Sequence, residues 1–199
     1  MEFFIATFLK MFFIMTPFFV LSVFLTLTNE ATLLEKRKLA VKVTISVVVI
    51  ALVILFFGQH IFSLFGITLD AFKIGAGALL FITAVNLIHG NKDGQKPKDA
   101  KLLDLAVVPL ALPITIGPGS IGILLVFAAE LDSFSKLITG GLALFCAILL
   151  IGTMLYLSSL IEKFIGENGL LIISKITGLV LAALSAQIMF TGIKNFLNI

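Results

Sequence analysis

"PLALPITIGPGSIG", residues 109–122, lies within an apolar stretch long enough to cross a bilayer, yet it holds three prolines and three glycines. These are the residues that most disfavour a helix interior. In hydrocarbon an unpaired backbone group costs several kcal/mol, so an interrupted span persists only where the break is buried in protein or lines a polar cavity. The stretch therefore decides between an ordinary helical span and one whose break has a use.

The surrounding chain fixes the solvent. Of 199 residues, 60% are hydrophobic and 13% charged, with mean hydropathy +1.21. This composition is that of an all-α membrane protein. Six apolar runs are long enough to span, at about 3–27, 43–64, 71–89, 104–129, 137–160 and 171–195. The hydrophilic stretch "HGNKDGQKPKDAK" (89–101) reads as a solvated loop. The expected organisation is one transmembrane domain over 1–199: a first unit to about residue 90, a cytoplasmic loop over about 90–103, and a second unit from about 104. Glu2 stands where a cleavable signal would carry basic residues, so such a signal is not expected. The lone Cys146 excludes an intramolecular disulfide and reads as packing.

Orientation follows from the basic residues. Lys36, Arg37, Lys38, Lys42, Lys92, Lys96, Lys98, Lys101 and Lys163 fall on one side, against Lys136 and Lys194 on the other, with Lys10 and Lys73 snorkelling from within spans. The rich side is cytoplasmic by the positive-inside rule, which sets both termini outside a multi-pass plasma-membrane protein. The net charge of +3 is spread over loops and gives no reason to expect nucleic acid.

The chain also matches itself. Setting "LDAFKIGAGALLFITAVNLIHG" (69–90) over "LIISKITGLVLAALSAQIMFTG" (171–192) superposes Leu69, Lys73, Ile74, Leu79, Ala84 and Gly90 on identical residues, and an offset one shorter sets Thr16-Pro17 over Gly117-Pro118. A unit of three spans inserts its second copy upside down, so the expectation is a 3+3 inverted-topology repeat with helices 1 and 4 broken near the membrane midplane. Thr16 and Gly117 are acceptable N-caps, and Pro17 and Pro118 occupy the favoured first helical position. Each break then starts a half-helix whose free N–H groups attract a carboxylate.

Thr16, Pro17, Pro113, Gly117, Pro118, Gly119 and Ser120 are thus the candidate solute-binding residues. Gly117, Gly119 and Ser120 are small enough to admit a ligand to the backbone. Asn86 and Gln187, at nearly matching places in the two units, are weaker candidates, since buried amides often only join helices. The competing reading of the breaks is a proline kink that serves packing alone. Gly75 and Gly77 read as helix contacts, Asp70 and Lys73 as a solvated pair, and Asp104 and Glu130 as flanks of span 4. His60 and His89 fall at span ends, which disqualifies them as intramembrane proton carriers. Paired carboxylates, metal-ligand spacings and nucleophile–base arrangements are lacking among the spans, so neither an enzyme nor a cofactor is expected. Coupling to H⁺ or Na⁺ through carbonyls freed at the breaks stays open, as does a homo-oligomer.

"PLALPITIGPGSI" (109–121) closely resembles the fourth-span signature of the MarC family, "FGITLDAFKIGAGALLF" (65–81) its third, and "ITGLVLAALSAQIMFTGI" (176–193) its last. The resemblance implies a six-helix inner-membrane protein, related to members that move glycine, alanine and other small neutral amino acids and to members without a settled substrate. In the first span Thr16, Phe19 and Ser22 replace the family's usual asparagine, glycine and second proline, while Phe24 and Leu27-Thr28 are retained. The resulting expectation is a secondary transporter of small neutral amino acids working by alternating access. Its rivals are a channel for small uncharged solutes and a non-transporting scaffold.

Overall fold

The computed structural model describes residues 2–89 and 102–197, with the side chains of 58–63 and 65 excepted. Among the described residues the chain is helical, without a strand. Helices α1 (Glu2–Ile14) and α2 (Pro17–Leu27) are separated by Met15 and Thr16. Then come α3 (Leu33–Phe65) and α4 (Leu69–His89), an irregular arm over 102–115, α5 (Pro118–Glu130), α6 (Phe134–Tyr156) and α7 (Ser158–Leu197). Five segments are long and apolar enough to cross a membrane, or six when the arm and α5 count as one span bent by 72°.

Local chemistry sets the boundaries. Pro17 and Pro118 each open a helix, as the sequence predicts. Helix α3 starts ten residues earlier than the apolar run. There Thr32 and Glu35 form a reciprocal cap, with the Thr32 N–H donating to Glu35 Oε2 at 2.8 Å and the Glu35 N–H to Thr32 Oγ1 at 3.4 Å. That signal is legible in the sequence, but hydropathy alone passes over it. Gly66, at φ +62°, ends α3, and the Thr68 hydroxyl caps the Ala71 N–H at 3.3 Å. The segment expected to be a loop between spans 5 and 6 is largely helical as well, α7 running on through a kink at Gly166, where φ is +70°.

The arm is the first part of the expected fourth span, and its backbone is irregular. Val108 and Leu112 are extended, each preceding a proline joined by a cis peptide bond. Two prolines four residues apart each remove a donor and push the preceding residue out of the helical region. Wide turns remain, the Ile116 N–H donating to the Ala111 carbonyl at 2.9 Å and the Thr115 hydroxyl to the Leu110 carbonyl at 2.7 Å, and Leu110, Ala111 and Ile114 bury their side chains.

Helices α4 and α7 share the longest interface and run antiparallel. Gly192 lies against the Asp70 carbonyl and Lys73, Gly77 against Ser185 and Met189, and Gly178 against Ala84. Small residues let the two backbones approach closely, the main source of helix association in lipid. Gly77 thus meets its expectation, whereas the Cα of Gly75 faces open space. Helix α6 packs on α1 and α3, and α5 on α3 and α4. The outward faces are apolar, with Ile45, Val49 and Phe56 of α3 and Ile172, Ile176 and Leu179 of α7 exposed. Such a surface is stable in lipid and not in water. The hydrophilic loop falls almost wholly outside the described residues, as does the His60 side chain.

Candidate functional site

The two breaks meet. Thr16, Phe19, Asn86, Pro109, Pro113, Gly117, Pro118 and Ser120 line one cavity of about 360 Å³, walled further by Leu79, Ile82, Thr83 and Leu87 of α4. Across its floor the Ser120 hydroxyl donates to the carbonyl of Ile14 at 3.0 Å. That carbonyl belongs to the last turn of α1, which the break deprives of amide partners. A residue of the second break therefore satisfies the first.

At Thr16 the backbone is left-handed, with φ 48° and ψ 56°. A β-branched residue rarely adopts this conformation, which costs roughly 1–2 kcal/mol. Its consequence corrects the expected cap. The Thr16 carbonyl accepts from the Val20 N–H at 3.0 Å, but its side chain makes no capping bond. Capping needs an extended residue, and the left-handed turn carries the hydroxyl away from the first-turn amides. Thr16 is 4% exposed and borders the cavity.

Gly117 is extended (φ −81°, ψ 174°) and precedes α5 as expected, its carbonyl accepting from the Ile121 N–H at 2.9 Å. Since Pro118 has no N–H, the free donors of this helix start are the Gly119 and Ser120 amides. Gly119 serves another purpose than the one expected. A Cβ there would lie 2.7 Å from the Leu80 Cα, so this glycine seats α5 against the α4 backbone and does not line the cavity. Pro17 is buried in the packing of α2 and likewise stays off the wall.

Asn86 and Gln187 are parted. Asn86 lines the first cavity; Gln187 lines a second, of about 440 Å³, with Lys10, Lys73, Glu130 and Thr191. Their similar positions on antiparallel helices are the reason, because matching places then face opposite ends. Along α5 the first cavity touches Pro118 and Ser120 and the second Ile123, Val126 and Glu130, so the two lie on either side of one level. At that level Ile14, Leu80, Ile123 and Leu181 pack into an apolar septum, each at most 1% exposed.

The second cavity overturns the solvated Asp70–Lys73 pair. Lys73 is 9% exposed and binds Glu130 at 2.9 Å, with Asp70 at 3.8 Å. Hydropathy cannot detect a partner 57 residues along the chain. Among the described residues no group of three or more His, Cys, Asp or Glu side chains is placed to hold a metal.

The model of the MarC family, described as integral membrane proteins, matches residues 1–197. The chain belongs to the MarC family. A UPF0056 membrane protein of Aquifex aeolicus is 37% identical over 98% of this chain and 94% of its own length. A second, from Methanocaldococcus jannaschii, is 32% identical over 100% of this chain and 90% of the relative. The UPF0056 membrane protein YhcE of Escherichia coli is 33% identical over 75% of this chain and 73% of its own. None of these names states an enzymatic activity. No solved structure matches significantly. This MarC-family chain is a multi-pass integral membrane protein.

Proposed function

We propose that the protein is a secondary carrier for small neutral amino acids, built as two inverted units that expose a shared site to each face in turn. The observation that carries the reading is the convergence of Thr16 with Gly117, Pro118 and Ser120 on one cavity. The free Ser120 N–H and the positive end of α5 attract a carboxylate, and the Thr16 hydroxyl and Asn86 amide supply neutral hydrogen bonds to the rest of the solute.

The antiparallel α4–α7 crossing supports the inverted repeat. Under the offset that sets Leu69 over Leu171, the Gly77–Ser185 contact maps within one residue onto the Gly178–Ala84 contact, as two helices exchanged by a two-fold axis require. The basic residues orient the pair: the Thr16 cavity opens to the cytoplasm and the Lys73 cavity to the outside, with both termini outside the plasma membrane. The septum at Ile14, Leu80 and Ile123 closes the path between them, which favours a carrier over an open channel.

Transport of labelled alanine and glycine in proteoliposomes tests the reading. Saturable uptake, accelerated by unlabelled solute on the far side and lost in Thr16→Val or Asn86→Ala, is expected. A folded protein that moves neither solute would overturn it and leave the scaffold reading.

A further inference from the structure

The cavity beyond the septum carries more charge than packing requires. Lys73 and Glu130 face one another at 2.9 Å, and Asp70 stands 3.8 Å from Lys73. Lys10 also lines this cavity, close enough to Glu130 and Lys73 to feel both charges, yet it makes no ion pair or hydrogen bond among the described residues. A half-buried ammonium on an apolar wall is unfavourable until an anion meets it. The Glu130 side chain keeps 42% of its surface exposed despite its bond to Lys73, which leaves carboxylate surface open to a second cation. Opposite stand the Gln187 amide and the Thr191 hydroxyl, the latter donating to the Gln187 carbonyl at 2.8 Å.

Lys10, which makes no ion pair among the described residues, and the open surface of Glu130, already bound to Lys73 on one side, face the same cavity and match a ligand that brings both charges. We propose that this cavity is a second solute site for a free amino acid in its zwitterionic form, its carboxylate on Lys10 and its ammonium on Glu130. The site rests on the carrier reading for its solute class and deepens it. A solute waiting here is one septum away from the Thr16 cavity, so the site serves as an antechamber on the opposite face.

Equilibrium dialysis of labelled alanine against the full-length purified protein tests this, with acetate and methylammonium as competitors. Wild type is expected to bind two alanines per chain, one of them displaced by acetate. Lys10→Met should remove that one and leave the other, and Lys10→Arg should restore it. Glu130→Gln should weaken alanine at the same site about tenfold or more while sparing acetate, as loss of a charge-assisted hydrogen bond implies. A single alanine lost in Thr16→Val but kept in Lys10→Met overturns the proposal and leaves the carrier reading standing. A single alanine with the reverse pattern upholds the Lys10 site and sinks the Thr16 site. Absence of any binding overturns both. Where Lys10→Met fails to fold, failure of acetate to displace alanine from wild type is itself the overturning result.

Discussion

The hydroxyl of Ser120 donates a buried 3.0 Å hydrogen bond to the carbonyl of Ile14, tying the start of α5 to the end of α1. This bond joins the two interruptions, and it lies at the septum that separates the two cavities. The same contact thus repairs a backbone defect and lies between the two cavities.

Ser120→Ala removes the donor and leaves a buried carbonyl unpaired, at a cost of about 1–3 kcal/mol. A lower melting temperature of the purified protein is expected, measured by loss of monodispersity on heating. Ser120→Cys, a weak donor of similar size, should recover part of the loss.

Thr16 offers the opposite case. Its left-handed backbone (φ 48°) is unfavourable for a β-branched side chain. Thr16→Asn and Thr16→Gly should therefore raise stability by roughly 1 kcal/mol, since both residues accept this conformation. Thr16→Val retains the strain and loses only the hydroxyl, so its melting temperature should stay near that of wild type while alanine uptake falls.

Two glycines separate packing from mere presence. Gly119→Ala drives a Cβ to 2.7 Å from the Leu80 Cα, backbone against backbone, where no side chain can move aside. A loss of about 1–3 kcal/mol, or more, is expected, together with reduced folded yield. Gly75→Ala meets nothing within 4 Å and should be neutral or stabilising by up to about 1 kcal/mol. Comparable yields from both variants would refute the close α4–α5 crossing.

Among the described residues, Glu130→Gln leaves Lys73 with Asp70 alone, 3.8 Å away. Breaking a fully buried pair costs about 3–5 kcal/mol, but Glu130 is partly solvated and Asp70 compensates, so a loss nearer 1 kcal/mol is expected. Lys73→Met with Glu130→Gln should recover most of it, which a double-mutant cycle on melting temperatures measures.

Hydropathy and proline placement were enough to locate the apolar segments and the starts of α2 and α5 at Pro17 and Pro118 with the interruptions before them, because these are local properties of the backbone and its solvent. The α3 cap at Thr32 and Glu35 is also local chemistry, which hydropathy does not carry. The partners of those breaks were beyond it. That Ser120 reaches Ile14, that Gly119 abuts Leu80 rather than a solute, and that Lys73 turns to Glu130 all depend on how helices far apart in sequence cross. Asn86 and Gln187 show the distinction most plainly: one dimension gives them matching places, and the antiparallel packing of α4 on α7 sends them to opposite cavities. The order of residues dictates where a backbone loses its internal partners; only the packed chain determines which distant group replaces them.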